Sequence, residues 1–252
     1  MFNVWAVLFP DMTKTVAADA EGQRMETPQI TSVADPRLTA RLYQETRERI
    51  VALVVGLDDA TLSTTVGACP GWSVRDVVAH VAAVAEDWVS GRLAGPPTDE
   101  ETAAQIARFG GYHLAEILAT WTDAAAALDH MAETAGVKPP LGDITSHEHD
   151  IRGAIGRPGA QDSEAVWHSS DQLFTNLRTP VPLIVTVEDA EYRSGPDDRA
   201  EIRLRTTRFE GLRWRTGRRS RAQLAAMDWS GDPTAVLEHL YLFGPADADV
   251  EE

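Results

Sequence analysis

At 252 residues, with 43% hydrophobic and 25% charged side chains, the chain is long enough for one large domain or two modest ones, with core enough to fold without covalent staples. No apolar run reaches the roughly 18 residues of a membrane-spanning helix, and a formal net charge of -16 argues against a basic footprint for a nucleic-acid backbone. A single cysteine, Cys69, excludes an intramolecular disulfide and a multi-cysteine zinc site and fits a reducing, cytoplasmic setting.

Residues 1–25 read as a poorly structured extension. "FNVWAVLF" is a short apolar stretch with no Lys or Arg before it, and helical patterning begins only after Met25, itself a candidate start. Asp35-Pro36 opens a first helix: an acid at the cap, proline at the first helical position, and Leu38, Leu42, Ile50, Leu53 and Val54 at helical spacing. A second runs from Ser73, which forms a capping box with Asp76, to about Gly91. Thr98 and Glu101 form another box and open a long helical stretch to about Ala135, with a bend expected at Gly110-Gly111. A fourth helix is expected from near Pro140 to Gly156, so residues 30–159 read as a four-helix bundle.

After Gly159 the texture changes. "SEAVWHSSDQLFTNL" is helical, whereas "VPLIVTVEDAEY" and "AEIRLRTTRFEGLRWRTG" favour strands. "GRRSRAQLAAMDW" and "DPTAVLEHLYLFG" read as helices, the second capped by Asp232. Residues 160–245 form a small α+β domain on this reading, and "ADADVEE", 246–252, an acidic tail. The expected fold class is therefore α+β in two domains, bundle first.

Two helices carry the same anomaly. His80 sits among Val77, Val81 and Val84, and His147 lies on the face that Ile144, Ile151 and Ile155 turn inward. Asp143 precedes His147 by one turn, and an i, i+4 pair has Cβ atoms roughly 6 Å apart on one side of a helix. A bundle gathers ligands from facing helices, so His80, Asp143 and His147 would present two nitrogens and one oxygen to a divalent metal, zinc by donor type, and leave a coordination position open. Asp150 continues the same line and could orient His147. The bland alternative for each histidine is a hydrogen-bonded core residue. Glu148 and His149 face elsewhere and read as solvated, and His113, His130, His168 and His239 have no comparable partners. Cys69, with no His or Lys near it in sequence, reads as structural rather than nucleophilic. "TGRRSRAQL" concentrates Arg218, Arg219 and Arg221, a pattern suited to a carboxylate or to a solvated helix start.

"CPGWSVRDVVAHVA", the D-x-x-x-H-x-x-D-I-R-x-A-I-G-R-P-G arrangement from Asp143 to Gly159, and "TGRRSRAQLAAMDWSGDP" resemble, in order, the mycothiol-dependent maleylpyruvate isomerase family. The resemblance covers about residues 35 to 245. It implies a DinB-like four-helix bundle binding a divalent metal through His80, Asp143 and His147; the isomerase has Glu where this chain has Asp143. It further implies mycothiol as thiol cofactor or cosubstrate, isomerisation or S-transfer on a small, anionic electrophile, and Arg218 as the catalytic cation, with Arg219 as the fallback. Small-molecule partners, a monomer or homodimer, and neither nucleic acid nor membrane are expected. Only Lys14 and Lys138 are lysines among 23 basic residues, a bias common in GC-rich actinobacterial genomes. A non-catalytic metal- or small-molecule-binding regulatory module on the same bundle is the alternative.

Overall fold

In the computed structural model, which describes residues 35–252 apart from 94, 96, 198 and 199, each early helix starts where a local signal says it should. The expected extension, 1–25, lies outside the described residues. Helix α1, Pro36–Val54, is capped by Asp35, which accepts from the Arg37 amide, and buries Leu42, Tyr43, Ile50 and Leu53. A single turn, α2, Asp59–Leu62, leads to α3, Val74–Val89, whose Ser73–Asp76 capping box is formed. The expected bent helix from Thr98 to Ala135 is two helices, α4, Asp99–Arg108, and α5, Leu114–Ala135. The break has a cause. Phe109 is buried at the end of α4, and the His113 amide donates to Glu116 Oε2 at 2.7 Å, which restarts the helix. Gly136, at φ 67°, stops α5 in the left-handed region that glycine adopts freely. Helix α6, Leu141–Ala154, completes the set.

Helix α1 packs on α5 and α6, and α3 on α5 and α6, so these four form a bundle with α4 against α3. Its core includes Leu42, Ile50, Val77, Val81, Trp121, Leu128, Ile144 and Ile151. Helix α7, Glu164–Thr175, touches α6 and α1 on one side and helix α8, Arg208–Arg215, on the other.

A second core gathers Phe174, Leu183, Val185, Leu204, Trp214 and Leu240 around a four-stranded sheet. Its strands are β1 (Leu183–Thr186), β2 (Glu191–Ser194), β3 (Ile202–Arg205) and β4 (Asp228–Trp229), in the order β2-β1-β3-β4. Only the β1–β3 pair is parallel. The stretch read as strand through Gly217 is strand only to Arg205. Thr207 then caps α8 by accepting from the Glu210 amide, and Gly211 lets α8 approach Phe174, whose ring a Cβ would strike. Ser220 and Gln223 box the short helix α9, Arg221–Ala225.

The helix expected from Asp232 shrinks to a 3-10 turn, Leu237–His239. The amides of the turn pair locally, but the chain beyond it pairs elsewhere, since Leu242 donates to the Arg215 carbonyl and Ala246 to that of Arg219. The acidic segment 246–252 is docked rather than solvated: Val250 is buried, its amide and carbonyl pair with Gln223, and Glu252 meets Arg213 and Arg219. None of the described helices is long and apolar enough to cross a membrane.

Candidate functional site

Helix α3, which starts at the Ser73–Asp76 capping box, packs on α6, which starts after Pro140, and this packing brings His80 together with Asp143 and His147. Both imidazoles are buried, at 4% and 5% exposure. His80 Nε2 lies 3.5 Å from Asp143 Oδ1, and His147 Nε2 lies 3.6 Å from the same oxygen. Those separations are long for hydrogen bonds. They match the edge of a tetrahedron about a zinc ion, about 3.4 Å for bonds of about 2.1 Å. All three donor atoms fall within 4.8 Å of one another, so the shorter aspartate reaches where the resemblance has glutamate. The donor set fits a divalent cation.

Surrounding groups tune these donors. His147 Nδ1 donates to Asp150 Oδ2 at 2.9 Å, which leaves Nε2 free to ligate. Burial holds the His147 imidazole below its ordinary pKa against the pull of Asp143 and Asp150, favouring the neutral, ligating form. Burial alone would raise the Asp143 carboxyl; His147 and His80 hold it below its usual value. Asp150 is fully buried, yet Arg218 and Arg213 overcome that burial and keep its carboxyl well below the carboxylate range. Arg213 Nη2 donates to Asp150 at 2.7 Å, and Arg218 Nη2 at 2.9 Å. Trp72, in the loop before α3, sets its ring 5.0 Å from that of His80 and 6.0 Å from that of His147, nearly parallel to the latter at 22°.

Cys69, His147 and Asp150 form a second cluster of possible ligands. There the His147 nitrogen is already spent on Asp150, and the Cys69 thiol donates to Asp150 at 3.3 Å. Burial and Asp150 push the Cys69 thiol up, so it stays protonated.

Above the three donors opens a cleft of about 360 Å³, walled by Cys69, Pro70, Trp72, Pro97, Thr102, Arg218 and Phe243 among others. Arg218 thus reaches the site, but its guanidinium is engaged, with Asp150 on one side and the Thr216 carbonyl at 2.6 Å on the other. Arg219 does not reach it; Glu210 binds it at 2.8 and 2.7 Å. Arg221 is exposed and pairs with Glu238.

Glu148 and His149 are buried, contrary to their reading as solvated. Glu148 is wholly enclosed and takes bidentate contacts from Arg49 on α1 and two more from Arg152. His149 packs edge-on against Phe209, and burial with the nearby Arg213 and Arg152 pushes its pKa down to about 3. Two residues of the site escaped the sequence reading. Trp72 stood next to a recognised cap, which was its available signal, whereas Arg213 lay hidden in a stretch that alternates like a strand.

The family model described as the mycothiol maleylpyruvate isomerase N-terminal domain matches residues 43–171, from within α1 into α7, and includes His80, Asp143 and His147. Among solved structures, a crystal structure of the mycothiol-dependent maleylpyruvate isomerase aligns at TM-score 0.48 with 13% identity, and one of a histidine-to-alanine mutant at 0.48 with 12%. Each alignment covers 71% of this chain and 88% of the other. No curated protein matches this chain. With the family model spanning just over half of its residues, the chain belongs to the mycothiol maleylpyruvate isomerase N-terminal domain family.

Proposed function

We propose that this protein is a metal-dependent enzyme that uses a low-molecular-weight thiol, mycothiol, for isomerisation of a small electrophile or S-transfer to it. The observation that carries this reading is the single oxygen of Asp143 lying 3.5 and 3.6 Å from two buried imidazole nitrogens at the floor of an open cleft. His80, Asp143 and His147 would hold the cation, zinc by donor type. A divalent cation there lowers the pKa of a thiol bound beside it and so supplies a thiolate near neutral pH.

The chain's own residues do the rest. Asp150 keeps the proton of His147 on Nδ1, and Arg213 and Arg218 keep Asp150 ionised. Trp72 braces both imidazoles and, with Pro70 and Pro97, gives the cleft apolar walls that restrict water around the attacking sulfur. Cys69, held protonated, leaves the nucleophile's role to an external thiol.

Elemental analysis and calorimetric titration test the reading. Wild type is expected to bind about one zinc per chain, with binding lost in His80→Ala and in His147→Ala, and zinc-loaded wild type is expected either to consume mycothiol as a thioether of an added electrophile or to convert a cis alkene to its trans isomer with the mycothiol returned. Wild type that stays metal-free after reconstitution, or binds zinc as weakly as the two variants, refutes it.

A further inference from the structure

A second groove, of about 290 Å³, adjoins the cleft above His80, Asp143 and His147. Ala68, Pro70, Thr216 and Arg218 wall both, so one opens into the other. Further lining comes from Gly67, in the loop before α3, and from the segment 244–249 that follows the 3-10 turn.

The size of the cleft gives this neighbour its importance. Sites for a single small ligand run from about 300 to 1,000 Å³. At about 360 Å³ the cleft stands at the low end of that range, yet the thiol reading asks it to hold a thiol and an electrophile together. The sulfur and the electrophile belong beside the cation, and the remainder of the thiol has to extend out of the cleft.

Polar groups along the groove indicate the chemistry of that remainder. Among the described residues, the backbone amides of Gly67, Ala68, Asp247 and Ala248 meet no acceptor, and the Asp247 carboxylate meets no donor. Asp249 accepts from the Ser220 hydroxyl through Oδ1, which leaves Oδ2 without a donor. An amide N–H only donates, and an ionised carboxylate only accepts. A cation would satisfy the carboxylates alone and an anion the amides alone. Hydroxyl groups do both.

We propose that this groove seats the neutral, polyhydroxyl body of the thiol, so that the cleft takes the sulfur while Gly67, Ala68, Asp247 and Asp249 select which thiol enters. This rests on the thiol reading given above and extends it. Mycothiol has the required form, an N-acetylcysteine head joined through an amide to a glucosamine and inositol pair.

The test uses the full-length, zinc-loaded protein and two neutral probes whose sulfur is methylated, so that neither supplies a thiolate. S-methylmycothiol carries head and body; S-methyl-N-acetylcysteinamide carries the head alone. By calorimetry the first is expected to bind at least about tenfold more tightly, the gain of two or three hydrogen bonds. A Cβ at Gly67 meets nothing within 4 Å, so the side chain of Gly67→Leu enters open space at the groove. Asp247→Ala removes an acceptor that no described residue uses. Each substitution is expected to cut the preference about fivefold. Equal binding of the two probes, or a preference that neither substitution changes, overturns the inference; the thiol reading then stands where zinc-loaded protein still turns over free mycothiol. Protein that binds neither probe and turns over no mycothiol sinks the two together.

Discussion

Asp150→Asn keeps the shape of the side chain and removes its charge. In the wild type this carboxylate is fully buried and accepts from Arg213 at 2.7 Å, Arg218 at 2.9 Å and His147 Nδ1 at 2.9 Å, with the Cys69 thiol a fourth partner at 3.3 Å. The amide leaves two guanidiniums facing a neutral group, and breaking a buried ion pair from one side costs about 3–5 kcal/mol. At about 2–4 °C per kcal/mol for a chain of this size, Tm falls by about 6–20 °C. The amide oxygen can still accept from His147, so orientation survives in part, but loss of the anion lowers imidazole basicity and weakens zinc binding about 10–100-fold. Because the folded carboxyl titrates well below 3.8, its contribution is fully present above about pH 4, and the gap between wild type and variant persists from pH 5 to 8. Urea unfolding of zinc-free protein and a zinc competition titration read the two effects separately. Adding Arg218→Met should recover stability, by removing an orphaned cation, without recovering zinc affinity. Stability within about 1 kcal/mol of wild type together with unchanged zinc affinity would refute the role assigned to Asp150.

Trp72→Ala removes the ring that packs on both imidazoles, for which a loss of about 1 kcal/mol, or roughly fivefold in zinc Kd, is expected, with Trp72→Phe restoring most of it in the same competition titration. Glu148→Gln strands Arg49 and Arg152 around an enclosed site between α1 and α6; chemical denaturation should show a loss of about 3 kcal/mol with little change in zinc affinity. His149, neutral when folded with a pKa of about 3, takes up a proton on unfolding below about pH 6.5. The protein therefore loses stability as pH falls, by about 2 kcal/mol at pH 5 relative to pH 8, and zinc-free His149→Gln should show a shallower acid slope in unfolding experiments.

What the sequence disclosed was governed by how far apart the cooperating residues lie. The Ser73–Asp76 and Thr98–Glu101 boxes close within one turn, and both are found as read. His80 and His147 announced themselves by sitting on faces that neighbouring valines and isoleucines turn inward, and Asp143 by its spacing of one turn. Glu148 and His149 did not, because what buries them comes from far away: Arg49 is 99 residues from Glu148, and Phe209 belongs to a helix whose alternating pattern mimics a strand. The 3-10 turn at Leu237–His239 failed as a helix for the same kind of reason. Its continuation finds hydrogen-bond partners in Arg215 and Arg219, which no local pattern contains.

Asp150, Glu252 and Glu210 face Arg213, Arg218 and Arg219, so the charges balance within the network. Each shared partner joins separate parts of the chain. Asp150 lies on α6, Arg213 and Glu210 on α8, Arg218 and Arg219 in the loop that follows, and Glu252 at the docked acidic segment. Arg213 also donates to the Ser146 carbonyl at 3.0 Å, one residue from His147, so the network grips the backbone of α6 as well as its side chains. In low dielectric an unbalanced charge anywhere in such a set is costly, and removing one member perturbs its neighbours in turn. The orientation of His147 therefore depends on the bundle helix that carries it and also on α8 and the acidic segment, which together fix the charge state of its hydrogen-bond partner.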